Sequence, residues 1–460
     1  MTEHGVQGLD LGEPAPSAPQ DLPLVDPRRR MSGRPDASPV LATAYDEVCE
    51  RVADEALMQI SAPGAPRVPF PVRPVVSVLH PRAEPELRRR VQSVVGSLEK
   101  VVRAYPGDPE LQDFLAVPAP LHRWIMRGQA AGRLGVDYCR LDLLGATLGT
   151  VRVLEFNPSS PGGVISTGML NRFWRESSLA PVLAAWAPAP APFEGEHWFA
   201  DWLLGFGRSR GVPDDGRPIG LFHASKSTKF ELDLVARQLA ARGRETVFIR
   251  ADDADAARDV RLGYFKFIPM ELDEVPGWDR FCERLLDGTI AAPNPLGARW
   301  VAENKLCLAA LSDPRFRRLF DPAETAHLDA LVPYGRKLGD GIEAAEVLRR
   351  RDELVLKAPY SFHGRDVHLG SECDADAWER IVTAPERRGW LVQERVQAGA
   401  VDADNGTYLH DLVAPVLDGR VIGYSARMSA GPVLNGARGG GAYAIFGPHP
   451  LGNAVPSPLR

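Results

Sequence analysis

Apolar and polar positions recur along this chain with two periods, and each period marks a kind of element. Between Pro85 and Tyr105, Leu87, Val91, Val94, Val95, Leu98 and Val101 return every three or four residues. That spacing predicts an amphipathic helix, ended by Gly107 and Pro109. A helical pattern also starts at Ala42. From Tyr138 to Asn157 the period falls to two, in two runs rich in strand formers around Gly145–Thr150. This predicts a β-hairpin. Pro218–Val260 reads strand, helix, strand, with Gly243 at the helix C-terminus. It predicts a Rossmann-like unit, yet G-x-G-x-x-G is missing after its first strand, so no dinucleotide is assigned. Helices are expected over 302–311 and 344–350, and strands ending at Lys357 and over 390–396. Asp418-Gly419 between two apolar arms predicts a hairpin with a type I′ turn. Pro415 places its first arm at an edge or a bulge.

These patterns divide the chain. Residues 1–40 hold seven prolines and the run Arg28-Arg29-Arg30, which predicts a disordered tail. A helical region with the hairpin fills 41–186. The Ala-Pro repeat at 187–192 opens a connecting segment over 187–217. The Rossmann-like unit takes 218–300, a mixed helix and strand region 301–445, and a second tail 446–460. The expected class is α/β (α+β).

Composition narrows the function classes. In 460 residues the net charge is −6 and 44% are apolar, so wholesale disorder is excluded. No long run of one charge exists, which argues against a general nucleic-acid or membrane-surface binder. An acidic, hydrophilic start and the lack of a long apolar window argue against a signal peptide and a membrane span, leaving the cytoplasm as the expectation. The five cysteines are widely spaced without C-x-x-C, so buried thiols are expected rather than disulfides or zinc. Only seven of the 54 basic residues are lysine: Lys100, Lys226, Lys229, Lys266, Lys305, Lys337 and Lys357. Where lysine persists in so arginine-rich a chain, its compact charge is a candidate requirement.

The hairpin carries the densest chemistry. Strand alternation puts Arg140, Asp142, Glu155 and Asn157 on one face. A six-residue turn would set Asp142 opposite Val153 and Arg140 opposite Glu155. Carboxylate and amide oxygens so gathered suit Mg²⁺, and Arg140 suits a phosphate. A solvent-facing hairpin with a salt bridge is the plainer alternative. Ser159, Ser160, Gly162 and Gly163 follow, small residues whose backbone N–H groups could approach an anionic ligand. Lys357 ends a strand before a loop with Gly364 and Arg365, a candidate phosphate hold under a lid. Lys305 begins a helix. The strand 390–396 offers Gln393, Glu394 and Val396 to an adenine edge. Arg427 is brought near by the late hairpin and suits a γ-phosphate, with Asn435 and the Gly439–Gly441 run beyond it. Ser225 and its neighbours to Thr228 follow the first Rossmann-like strand, a second candidate substrate contact. His223, His363, His368 and His410 are read as structural or solvated, with His363 in the loop the one to test.

Taken together these segments resemble the ATP-grasp superfamily, and within it the circularly permuted branch that includes the synthetase domain of glutathionylspermidine synthase. Its Arg-x-Asp and Glu-x-Asn match Arg140-Leu-Asp142 and Glu155-Phe-Asn157. Its Asn-Lys matches Asn304-Lys305, its lysine and Gly-Arg match Lys357 and Gly364-Arg365, and its strand-end Gln and late Arg match Gln393 and Arg427. The order, hairpin before lysines, is that of the permuted branch. Here Ala-Pro follows Lys357 where the family has Pro, and Phe362 and His363 fill the loop. The resemblance implies an ATP-grasp core built from the hairpin and 301–445, with 218–300 as the pre-ATP-grasp unit. It implies ATP and Mg²⁺, with Asp142, Glu155 and Asn157 as metal ligands and Arg140 and Arg427 at the reacting group. It further implies amide formation between a small-molecule acid and an amine through an acyl phosphate. A phosphotransferase on the same fold and a non-catalytic nucleotide-binding scaffold are the rivals. The oligomeric state stays open, a homodimer being one option.

Overall fold

The computed structural model describes residues 18–32, 38–55, 59–60, 68–69, 71–130, 134–159, 161–223, 229–250, 253, 255–266, 278–361, 366–403, 406–431 and 440–451. A nine-stranded sheet dominates it. Its main path runs β1 (Val25–Ser32), β4 (Val72–Leu79), β19 (Gly441–Phe446), β18 (Ser425–Ser429), β16 (Gly406–Leu417), β5 (Tyr138–Leu144) and β6 (Arg152–Asn157). β15 (Gly399–Ala403) and β17 (Arg420–Val421) also pair with β16. Neighbours are antiparallel except β19 and β4, which are parallel.

A five-stranded sheet runs β11 (Gly341–Ile342), β10 (Gly335–Leu338), β14 (Leu391–Glu394), β12 (Leu354–Lys357) and β13 (Val367–Leu369). It has its own small core of Leu338, Val347, Leu356, Trp378 and Val392. A third sheet, β8 (Thr246–Arg250), β7 (Ile219–His223) and β9 (Gly263–Lys266), is parallel throughout. The helix Lys229–Ala241 crosses from β7 to β8. β2 (Gln59–Ile60) and β3 (Val68–Pro69) form a short ribbon. Among the described residues, no helix is long and apolar enough to cross a membrane.

The long helix forms over Glu84–Ala104 and buries the apolar positions its spacing marks. The Asp418-Gly419 turn has φ of 46° and 75°, the left-handed pair that a type I′ turn requires. Pro415 sits inside the large sheet rather than at its edge. Val416 faces Val421 and Val413 faces Ser425, so the opposing arm carries one extra residue across Pro415. A bulge thus takes the place of the hydrogen bond that proline cannot donate. The expected helix over 302–311 begins only at Leu306, after a π-helical turn at Ala298–Ala302.

Three boundaries need correction. Within the expected tail 1–40, Leu22 and Leu24 are buried, β1 pairs with β4, and the amides of Leu148 and Gly149 donate to Leu22 and Gln20. β1 escapes the hydrophobic pattern because it is an edge strand with half-exposed arginines. The segment 187–217 is no mere linker. Its helix Trp198–Ser209 buries Trp198, Phe199, Trp202 and Phe206 in the main core. In the expected tail 446–460, Phe446 ends β19, Leu451 is buried and the Pro450 carbonyl accepts from Arg88.

Candidate functional site

The hairpin β5–β6 has a register different from the expected one. Arg140 lies opposite Asn157 and Asp142 opposite Glu155. The strands leave a turn one residue longer than six, and a bulge follows between Asp142 and Leu143. Each moves the pairing by one. A shift of two keeps all four polar residues on one face, because strand faces alternate with period two. The bulge also leaves Leu154 without a partner across the ladder, opposite the step from Asp142 to Leu143.

Asp142 is the centre of that face. Arg140 donates to both its oxygens, Nε to Oδ1 and Nη2 to Oδ2, each at 2.8 Å. Arg427 of β18 adds Nη2 to Oδ2 at 2.7 Å. Behind Arg427 stands Asp411 of β16, its direct cross-strand neighbour. Asp411 accepts from the Arg427 backbone N–H and from Nε at 2.9 Å each, and also pairs with Nη2. The Asp142 and Asp411 carboxylates are 2% and 0% exposed. Burial pushes Asp142 upward, but the guanidinium groups of Arg140 and Arg427 hold it below the usual carboxylate range. Burial raises Asp411, against the pull of Arg427.

The five-stranded sheet brings the facing wall. Lys357, the last residue of β12, is buried and donates from Nζ to the Leu154 carbonyl at 3.2 Å. The bulge residue thus supplies the acceptor. Burial, with Lys305 nearby, pulls the Lys357 ammonium down to about 8, against the attraction of Glu155. Lys305 directly precedes the helix Leu306–Ser312. It donates to the Ser361 carbonyl at 2.8 Å and lies 3.5 Å from Glu155 Oε2. Gln393 of β14 is 1% exposed, with Nε2 3.5 Å from the Val153 carbonyl. Glu394 is exposed and Val396 half-buried beyond that strand. Asn304 is spent on structure, its Nδ2 donating to the Leu115 carbonyl.

The loop after β6 is clamped by buried charges. Asn294 and Arg299 donate to the carbonyls of Pro158 and Ser159, and Glu303 accepts from the Ser159 N–H at 3.0 Å. Lys266 of β9 donates to the Pro161 carbonyl and pairs with Glu231 at 2.7 Å. Arg140 Nη1 donates to the Gly162 carbonyl, and Glu231 accepts from the Gly163 N–H at 3.2 Å. The Ser159 hydroxyl turns inward to the Arg299 carbonyl, so that side chain serves the loop and not a ligand. The Gly163 N–H is likewise taken by Glu231.

Ser160, Ser225, Lys226, Thr228, Phe362, His363, Gly364, Arg365, Asn435 and Gly439 lie outside the described residues. Of the other histidines singled out, His223 ends β7 beside Lys266 of β9. His368 stacks on Trp390, and His410 bonds the Tyr443 hydroxyl. All five cysteines are free, three buried and two half-buried.

Sequence reasoning missed Asp411, Glu231, Arg299 and Glu303. Asp411 had one usable signal, a charge inside an apolar strand pattern. The others are reached only through tertiary contacts.

The donors on the hairpin face are all hard, two carboxylates and an amide, as a magnesium-type cation prefers. Asn157 Nδ2 is buried with no hydrogen-bond partner, an unspent N–H donor, and the atom of that amide a cation would take is Oδ1. Among the described residues no cluster of three or more His, Cys, Asp or Glu side chains gathers as a metal site. The oxygen donors this face offers to such a cation are those of Asp142, Glu155 and Asn157, with Asp142 already engaged by two arginines. The lysines opposite suit polyphosphate oxygens.

No family model and no curated protein matches the chain. Among solved structures, a glutathione synthetase-like effector from Globodera pallida in its apo form is similar with a TM-score of 0.59 at 11% identity, over 90% of this chain and 100% of that one. A protein from Methylobacillus flagellatus, provisionally assigned as a gamma-glutamylcysteine synthetase, overlaps with a TM-score of 0.36 at 13% identity, over 73% of this chain and 83% of that one. The second overlap is too low to carry an argument. The first is a likeness of fold: a mixed α/β architecture of several sheets, glutathione synthetase-like.

Proposed function

We propose that this chain is an ATP-dependent carboxylate–amine ligase of the ATP-grasp type in its circularly permuted order, joining an amino acid or short-peptide acid to an amine. One observation carries the reading. Two buried lysines from separate segments, Lys305 and Lys357, reach the same hairpin whose polar face holds Asp142, Glu155 and Asn157. That is a cleft with cations on one wall and hard oxygen donors on the other, the arrangement a metal–nucleotide needs.

In this reading the acid's carboxylate oxygen attacks the γ-phosphorus, the bond to the ADP oxygen breaks, and an acyl phosphate forms. The amine then attacks the acyl carbon, phosphate leaves and the amine nitrogen gives up a proton. Mg²⁺, when bound through Asp142, Glu155 and Asn157, supplies charge neutralisation for the phosphate oxygens. Lys305 and Lys357 hold those oxygens from the opposite wall, and Gln393 faces the base. Arg140 and Arg427 stabilise charge developing at the transferred group. Water must be kept from the acyl phosphate, a role this reading gives to the segment 360–367, of which 362–365 lie outside the described residues. The parallel sheet β8–β7–β9 serves as the pre-ATP-grasp unit and lends Lys266 to the loop that faces the acid. No nucleic acid or membrane enters this scheme.

The test is incubation with MgATP and pools of acids and amines. ADP and phosphate should appear only when both pools are present. A stable phosphorylated acid would indicate a phosphotransferase instead. ATP bound but unconsumed in every pool would leave a nucleotide-binding scaffold.

A further inference from the structure

Four charged side chains stand in one line across the large sheet, Arg140–Asp142–Arg427–Asp411, and their formal charges cancel. Asp142 spends three acceptor positions on two guanidinium groups, of roughly four that a carboxylate offers. A divalent cation approaching Asp142 therefore meets two positive charges already seated there. Neither arginine can simply leave, because a guanidinium withdrawn into a nearly closed site without a counter-anion is costly.

Both arginines nevertheless have a second tether. Arg427 keeps its backbone N–H and Nε on Asp411 whatever Nη2 does. Among the described residues its Nη1 forms no hydrogen bond, and the side chain is 25% exposed. Arg140 keeps Nη1 on the Gly162 carbonyl. Each can thus release Asp142 and turn a donor to an incoming anion without losing its place.

We propose that Arg140 and Arg427 compete with a divalent cation for Asp142, so that a divalent cation and a polyphosphate bind cooperatively, with Asp411 as the positioning residue that retains Arg427 when it leaves Asp142. This rests on reading the cleft as a metal–nucleotide site. The polyphosphate takes over the arginines, and the vacated carboxylate takes the metal. Like any linkage it is reciprocal: each ligand tightens the other by the same factor.

The test titrates the full chain with Mn²⁺, read by its paramagnetic resonance signal, with and without the non-hydrolysable analogue β,γ-methylene ATP. Mn²⁺ should bind about tenfold or more tightly with the analogue than without, within the usual range of such coupling. The charge-neutral double variant Arg427→Met/Asp411→Asn removes one competitor. It should bind Mn²⁺ alone several-fold more tightly than the parent and show reduced coupling. Asp411→Asn alone leaves Arg427 with Asp142 as its only anion, so Mn²⁺ alone should bind more weakly although no ligand to the metal has changed. Equal Mn²⁺ affinity with and without the analogue in the parent protein overturns the proposal and leaves the nucleotide site standing. Binding of neither probe overturns both. The parent titration decides the matter even if a variant fails to fold.

Discussion

The two walls of the cleft keep their charges in opposite ways. On the large sheet, arginines and carboxylates neutralise one another in a closed line, with Asp142 and Asp411 nearly inaccessible. On the five-stranded sheet, Lys357 is just as buried, but its Nζ bonds to a neutral carbonyl, and its nearest carboxylate belongs to the other wall. Gln393 is likewise set against a carbonyl. A paired wall costs little to maintain and must be opened before use. An unpaired one carries a standing desolvation cost that an anion relieves. Ligand charge therefore acts differently on each wall, as relief on one and as exchange on the other.

The largest effects should come from removing the charges that meet a ligand. Lys357→Met and Glu155→Gln should each lower ADP release by roughly 10²–10³-fold, with circular dichroism unchanged. Near-parent turnover in Glu155→Gln would remove the metal reading of the hairpin. Next comes Asp142→Asn, which strands the Arg140 guanidinium and leaves Arg427 with Asp411 alone, and should lower unfolding stability by about 3–5 kcal/mol in urea titrations. Lys357→Met should instead hold or raise stability. If the two variants lost stability equally, the contrast between the walls would not stand.

A pH experiment sharpens the same contrast. The Lys357 ammonium titrates at about 8 in the fold, against an ordinary 10.5. An anion pairs only with the charged form, so nucleotide affinity should fall as pH rises above about 8, and binding there should take up a proton. In Lys357→Met both the slope and the proton uptake should vanish, as read by calorimetry in buffers of different ionisation heat. The smallest effect is expected from Gln393→Ala. Loss of a single neutral contact is worth about 1 kcal/mol, a several-fold rise in the nucleotide KM with kcat little changed.

The sequence showed what local chemistry controls. The helix Glu84–Ala104 follows from apolar spacing, and the Asp418-Gly419 turn from the few residues that accept positive φ. The face shared by Arg140, Asp142, Glu155 and Asn157 was legible because period two survives a register shift of two. The register itself was not, since a bulge at Leu154 leaves no mark in composition. Nor was the partner of Arg427 legible. Asp411 lies sixteen residues away and meets it only through the β16–β18 ladder. The strand β1 was hidden by edge exposure, and the helix Trp198–Ser209 by the proline repeat before it. Lys266 had no role visible in sequence. It holds the Pro161 carbonyl, a contact 105 residues distant.

The bond from Arg427 to Asp142 spans 285 residues. While the chain is being made, β5 and β6 emerge long before β16 and β18, and Asp142 must wait with Arg140 alone. A nascent chain that stops short of β18 has the hairpin, the long helix and both lysines, yet holds an unfinished site. The quartet thus closes only once β18 has been made. Contacts of such separation close late and slowly, so binding competence should trail helix formation when the full chain is refolded from denaturant.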